Sequence, residues 1–181
     1  ELLRAQLALS ARAADGGLLD ATALQTAGAL DALFAFDGEL GVTFETGVPR
    51  FRLWAPTARS VRLHLFADAD PDSPPLSSHA LRADAGTWTL DGQPDWNRRY
   101  YLYEVEVFVR STGRIERNLV TDPYALGLSA DSRRAQVVDL SDPDLAPPGW
   151  DTLPKPSLDA PEDIVLYELH VGTFTPQGSF A

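Results

Sequence analysis

Residues 100–110, YYLYEVEVFVR, decide how this chain folds. Tyr101, Tyr103, Val105, Val107 and Val109 fall on one side of an extended backbone, and Leu102, Glu104, Glu106 and Phe108 fall on the other. A period of two is the mark of a β-strand, because successive side chains point to opposite faces. Ser111-Thr112-Gly113 then reads as a turn, and residues 114–120 return as a second strand anchored by Ile115, so the pair reads as a β-hairpin.

The same alternation continues upstream. Phe51 and Leu53, then Val61, Leu63 and Leu65, alternate with Arg52, Arg62 and His64. Ala55-Pro56-Thr57 separates these runs, since proline removes a backbone donor and ends a ladder. Residues 68–78 (DADPDSPPLSS) read as a polar, proline-rich loop. Residues 87–90 (TWTL) read as a short strand between Gly86 and Asp91-Gly92, and residues 135–140 (AQVVDL) as a last one. Short strands joined by turns, without intervening amphipathic helices, predict an all-β sandwich.

The ends of the chain read differently. In residues 1–46, Leu7, Leu9, Ala11 and Ala13 alternate as in a strand, yet the Leu, Ala and Arg content suits a helix, and both readings stand. Asp15-Gly16-Gly17 is a turn signal, and residues 30–36 (LDALFAF) predict a short helix or an irregular packing segment. Residues 146–163 form the body of a proline-rich, stiff linker. Residues 164–171 (IVLYELHV) are an almost unbroken apolar run of strand length, the kind buried on both faces of a parallel sheet. That run does not fit the sandwich pattern and reads as the first strand of another domain. The abrupt beginning and end suggest a fragment.

Charge and composition narrow the function. Fifteen Lys and Arg face 26 Asp and Glu, for a formal net charge of −11. A phosphate backbone is gripped by clustered bases, so nucleic acid is not a predicted partner. The chain has no cysteine, which excludes disulfides and thiolate metal sites. His64, His79 and His170 lack ligand spacing, so no metal site is predicted. No apolar run approaches the roughly 18 residues of a membrane span.

Four stretches in this order, 51–58 (FRLWAPTA), 100–109 (YYLYEVEVFV), 120–128 (VTDPYALGL) with 134–140 (RAQVVDL), and 164–175 (IVLYELHVGTFT), together resemble the front of pullulanase-type α-1,6-glucosidases of glycoside hydrolase family 13. The resemblance implies an immunoglobulin-like carbohydrate-binding module of family 48 at 47–145, preceded by a segment at 1–46. It implies a linker at 146–163 and the start of a truncated (β/α)₈ barrel at 164–181. It implies a non-catalytic module of a starch- and pullulan-debranching enzyme, docked to that barrel, with α-glucan as a partner. No catalytic residue and no cofactor fall within the chain; calcium is left open for the complete enzyme, and an extracellular or periplasmic location is favoured for it. At the barrel entry the chain reads His170-Val171-Gly172-Thr173-Phe174, where pullulanases carry an HVRDF-like sequence. This version is similar to trehalose-releasing and branching relatives, which form the alternative, beside a structural domain without sugar affinity.

Aromatic side chains are the candidate sugar platforms, because flat rings pack on the apolar faces of glucose. Trp96, in the polar stretch Asp95-Trp96-Asn97, is the first surface candidate for carbohydrate binding and Trp88 the second. Trp54 is expected in the core or at a domain interface. Asp122 and Tyr124, in the DPYA stretch, are expected to shape a turn and face the barrel.

Overall fold

The computed structural model describes residues 2–155 and 157–179. The chain divides into two units, Glu1–Asp142 and Pro143–Ala181.

The first unit opens with β1 (Ala8–Arg12) and β2 (Leu18–Ala23), an antiparallel hairpin that settles the opening segment in favour of strands. Its turn holds Gly16 at φ 88°, and Gly17 N–H donates to Asp15 Oδ1 at 2.9 Å. This is the turn that Asp15-Gly16-Gly17 predicts. Helix α1 (Ala27–Phe34) follows where a short helix is expected.

The sandwich then builds from β3 (Gly41–Glu45), β4 (Val48–Trp54), β5 (Ser60–Phe66), β6 (Ser77–Ala80), β7 (Arg82–Asp84), β8 (Thr87–Asp91), β9 (Tyr100–Val109), β10 (Arg114–Val120), β11 (Gly127–Leu128) and β12 (Ala135–Gln136). One sheet has the order β3-β4-β8-β7. The other runs β11-β12-β9-β5-β6, with β10 also on β9. Strand β9 organises the larger sheet. One edge pairs with β5 from Ser60↔Glu106 to Phe66↔Tyr100. The other edge is shared: β10 takes Tyr103 to Val109, and β12 takes Tyr100 and Tyr101.

The core lies between the sheets, as the alternation requires. Phe51, Leu53 and Trp88 come from one sheet; Val61, Leu63, Leu65, Tyr101 and Tyr103 come from the other. Full burial of each large apolar side chain stabilises the fold by roughly 1.5–3 kcal/mol. Phe51 meets Tyr101 edge-on, with centroids 5.2 Å apart, which fixes the two sheets against each other.

Three sequence boundaries move. The sandwich starts before residue 47, because β3 pairs with β4 from Gly41↔Arg52 to Glu45↔Val48. Gly41 makes this possible. It sits at φ 87°, and a Cβ there would lie 2.9 Å from the Tyr124 Cβ and carbonyl oxygen. The proline-rich loop ends earlier than expected, since Ser77–Ala80 pairs along β5. The last strand shrinks from six residues to Ala135–Gln136, where β9 still offers a free edge.

The second unit contains short helical turns and α2 (Val171–Phe174). Residues 164–170 do not form the strand expected there. Ile164 and His170 keep extended backbone angles, but no described segment pairs with the run between them. Val165 and Leu166 are 91% and 90% exposed. A strand exists through its ladder, and without a neighbour the apolar pattern alone does not make one. Glu168 and His170 are exposed with it.

Candidate functional site

Each sequence-derived candidate can now be placed. Trp96 is not on the surface. It is 6% exposed, with its ring between Phe51 at 5.9 Å and His79 at 4.7 Å. Polar neighbours in sequence gave no sign of this, because a short helical turn, Pro94–Trp96, folds the indole inward. Trp88 is also 6% exposed, and its Nε1–H donates to the Ala55 carbonyl at 3.0 Å. Neither tryptophan offers a ring face to solvent, so both expected platforms are corrected to core residues.

Trp54 is partly buried and ties α1 to β4. Its Nε1–H donates to the Phe34 carbonyl at 2.7 Å, one of the carbonyls a helix end leaves without a partner. Phe34 itself packs on Gly86, where φ is 93° and a Cβ would lie 2.8 Å from the phenyl group. Asp122 is interior rather than interfacial, at 3% exposure. It accepts from the Tyr124 N–H at 2.9 Å, which is the turn the sequence predicts, and from the Tyr101 hydroxyl at 2.8 Å. Burial raises its pKa above the ordinary carboxylate value, against these hydrogen bonds, which pull it down. Tyr124 stays partly buried beside Gly41.

The structure assembles a different site, on the outer face of the larger sheet. A groove of 270 Å³ runs between Leu102, Leu119, His64 and Glu104 on the strands and Pro71 and Pro75 on the loop after β5. Its loop wall is held by a residue that sequence reading passed over. Arg134 is 2% exposed, and its guanidinium lies 3.7 Å above the Phe66 ring. It donates to three backbone carbonyls: Asp68 at 2.9 Å, Pro71 at 3.2 Å and Ser73 at 2.9 Å. A planar donor fork suits this task, and lysine would not replace it. Aspartates complete the wall: Asp70 N–H donates to Asp68 Oδ1 and Asp72 N–H to Asp70 Oδ1, both at 3.0 Å. The groove is therefore preformed. In the sequence, Arg134 is one of an ordinary Arg-Arg pair, and nothing local marks it.

Glu104 and Glu106 lie on the strand face opposite Tyr101 and Tyr103, as the alternation predicts. Glu104 Oε2 lies 3.4 Å from His64 Nε2, and Glu106 Oε2 accepts from Arg117 Nε–H at 2.9 Å. His64 Nδ1 is 2.7 Å from the Ser78 hydroxyl. Bases and acids alternate here, so the face presents polar groups without a strong field of either sign. Among the described residues, no three His, Asp or Glu side chains converge as a metal site, and no helix is long and apolar enough to cross a membrane.

The two packed sheets define an immunoglobulin-like β-sandwich. Residues 39–125 match the family described as carbohydrate-binding module 48 (isoamylase N-terminal domain), and residues 1–32 match the pullulanase N2 domain. Through these two domains the chain belongs to the N-terminal region of the pullulanases. It is 41% identical over 177 residues to pullulanase 1, chloroplastic, of Arabidopsis thaliana, covering 97% of this chain and 18% of that protein. It is 38% identical over 161 residues to a pullulanase of Klebsiella pneumoniae, covering 86% and 14%. The crystal structure of PulA from Klebsiella oxytoca superposes with a TM-score of 0.78 at 37% identity, over 84% of this chain and 15% of that one. A Klebsiella pneumoniae pullulanase complexed with maltotriose superposes with a TM-score of 0.75 at 37% identity, covering 85% of this chain and 15% of that one. The chain thus spans less than a fifth of the length of these relatives.

Proposed function

We propose that this chain is the front part of an enzyme that hydrolyses α-1,6 branch points in α-glucans, and that its sandwich contributes a glucan-contacting surface to that enzyme. The observation that carries the reading is the similarity to pullulanases along nearly the whole chain, 41% identity over 97% of it for the plant protein. On this reading residues 164–171 become a strand when barrel neighbours pair with them, and Trp54 and Tyr124, both partly exposed, lie toward the barrel. The groove bounded by Leu102, Leu119 and Glu104 is the proposed glucan contact, with apolar carbons for the faces of the sugar and a carboxylate for its hydroxyls. Native gel migration of the folded chain in soluble amylopectin tests the contact. Retardation relative to a gel without polysaccharide is expected, and Leu119→Asp is expected to abolish it.

One observation favours a second reading, a structural domain without sugar affinity. The groove has no exposed aromatic ring: Phe66 lies under Arg134, and Trp88 and Trp96 are in the core. Unchanged migration of a folded sample would favour this reading. Release of reducing sugar from pullulan by the longer protein tests the enzymatic half of the proposal independently.

A further inference from the structure

We propose that β3 is a self-complementary edge through which two copies of this chain associate, pairing their Gly41–Glu45 strands antiparallel about a two-fold axis at Thr43.

β3 closes one side of the smaller sheet. It pairs with β4, and among the described residues no strand pairs with its other edge. Every second residue of an edge strand directs its N–H and C=O away from the sheet. A depression of 520 Å³ lies along this edge, with Val42, Thr43 and Phe44 on one side and Leu126, Val138 and Leu140 on the other. Leu126 and Leu140 are 68% and 67% exposed, so apolar surface flanks the open ladder. Edges are commonly protected by lysine, proline or a bulge, and GVTFE carries none of these.

The residues of β3 select the occupant. Antiparallel pairing about Thr43 sets Thr43 against Thr43, Val42 against Phe44 and Gly41 against Glu45. The faces match across the axis: Val42 and Phe44 pack on the core side, and Thr43 stands opposite Arg50 on the outer side. Thr–Thr and aromatic–β-branched pairs are favourable cross-strand neighbours. Beyond the strand ends the same register brings Glu39 to Gly47, so no carboxylate opposes another, which matters for a chain of net charge −11. The outer edge of β10 is built the other way. Its central residue is Arg117, which would meet its own copy in such a pairing. A two-fold contact of this kind closes at two copies. Five residues span about 17 Å. A standard stable interface takes about 20–30 residues a side, so this dimer is weak and concentration-dependent.

Sedimentation velocity from about 1 μM to about 1 mM chain reads the dimer as a rise in the mean sedimentation coefficient. Thr43→Glu is expected to weaken association roughly fivefold or more, because two carboxylates then meet at the axis. Within one copy the new carboxylate faces Arg50 on β4, so the urea midpoint of dilute protein is expected to hold. Thr43→Lys is expected to weaken association as well, and an equimolar mixture of the two variants to associate again. A chain that stays monomeric throughout the range overturns the proposal. So does association that Thr43→Glu leaves unchanged while Val165→Asp abolishes it, which assigns the contact to the exposed apolar run at 164–170. A mixture of the two Thr43 variants that remains monomeric overturns the pairing about Thr43.

Discussion

The hydroxyl of Tyr101 donates to the carboxylate of Asp122 at 2.8 Å inside the sandwich, joining the central strand of the larger sheet to the turn that follows β10. Tyr103 lies beside it, its ring 5.6 Å from that of Tyr101, and its hydroxyl makes no hydrogen bond of good geometry. Burial raises the pKa of both phenols, so neither is a source of protons near neutral pH.

The raised pKa of Asp122 fixes the sign of a pH effect. In a window opening just above the ordinary value of 3.8, the native state holds a proton that the unfolded chain has released. The native state then binds more protons, and this group's contribution to stability falls as pH rises through the window. Asp122→Asn keeps one of the two acceptor oxygens, turns the other position into an amide donor that the Tyr101 hydroxyl can accept from, and carries no charge. Urea midpoints measured against pH are expected to lose this declining component in the variant. A stability difference between the two proteins that stays constant across the window would contradict the assignment. Asp122→Ala instead strands the Tyr101 hydroxyl, at a cost of about 1–3 kcal/mol.

Arg134→Met tests the loop clamp. Methionine keeps the apolar stem but loses all three carbonyl contacts. Leaving these carbonyls without their donor is expected to cost about 3 kcal/mol or more, a drop in Tm of roughly 6–12 °C for a chain of this size. Hydrogen exchange should rise selectively in residues 68–76. Loss of stability without selective loosening of that loop would argue against a clamp.

Trp96→Ala removes a core side chain packed on Phe51 and His79. The expected cost is about 3–5 kcal/mol. Tryptophan fluorescence adds a second readout: acrylamide should quench the indoles of Trp88 and Trp96 poorly, compared with Trp150, which is exposed. Easy quenching of Trp96, with little change in stability on its removal, would return it to the surface.

Gly41→Ala is expected to cost about 2 kcal/mol or more, because the new Cβ meets Tyr124 at 2.9 Å and the backbone there is left-handed. The urea midpoint reads this directly. Gly113→Ala is the comparison: its φ is 65° but no atom lies within 4 Å, so only the backbone strain remains and the loss should be smaller.

Much of the sandwich was readable from alternation. β4, β5, β9 and the β9–β10 hairpin follow from apolar residues at every second position. β3 was missed because its own residues, GVTFE, alternate weakly, and its place depends on β4 offering an edge and on Gly41 fitting under Tyr124. The short strands β6, β7 and β12 are held by neighbours rather than by their own pattern. The DPYA turn was legible because Asp and Pro act on adjacent backbone. The tryptophans were not: the residues beside Trp96 in sequence are polar, whereas those beside it in space are Phe51 and His79.

The sequence determined by itself that this protein is β-rich, which faces of its main strands turn inward, and where its sharp turns lie, because those depend on residues within a few positions of each other. Only the tertiary structure decided which aromatics reach solvent, that Arg134 holds a loop more than 60 residues away, and that Leu119, Glu104, Arg62 and Ala80 line up across four strands. Each of these depends on strand register and sheet packing, which bring distant segments together and leave no trace in local composition.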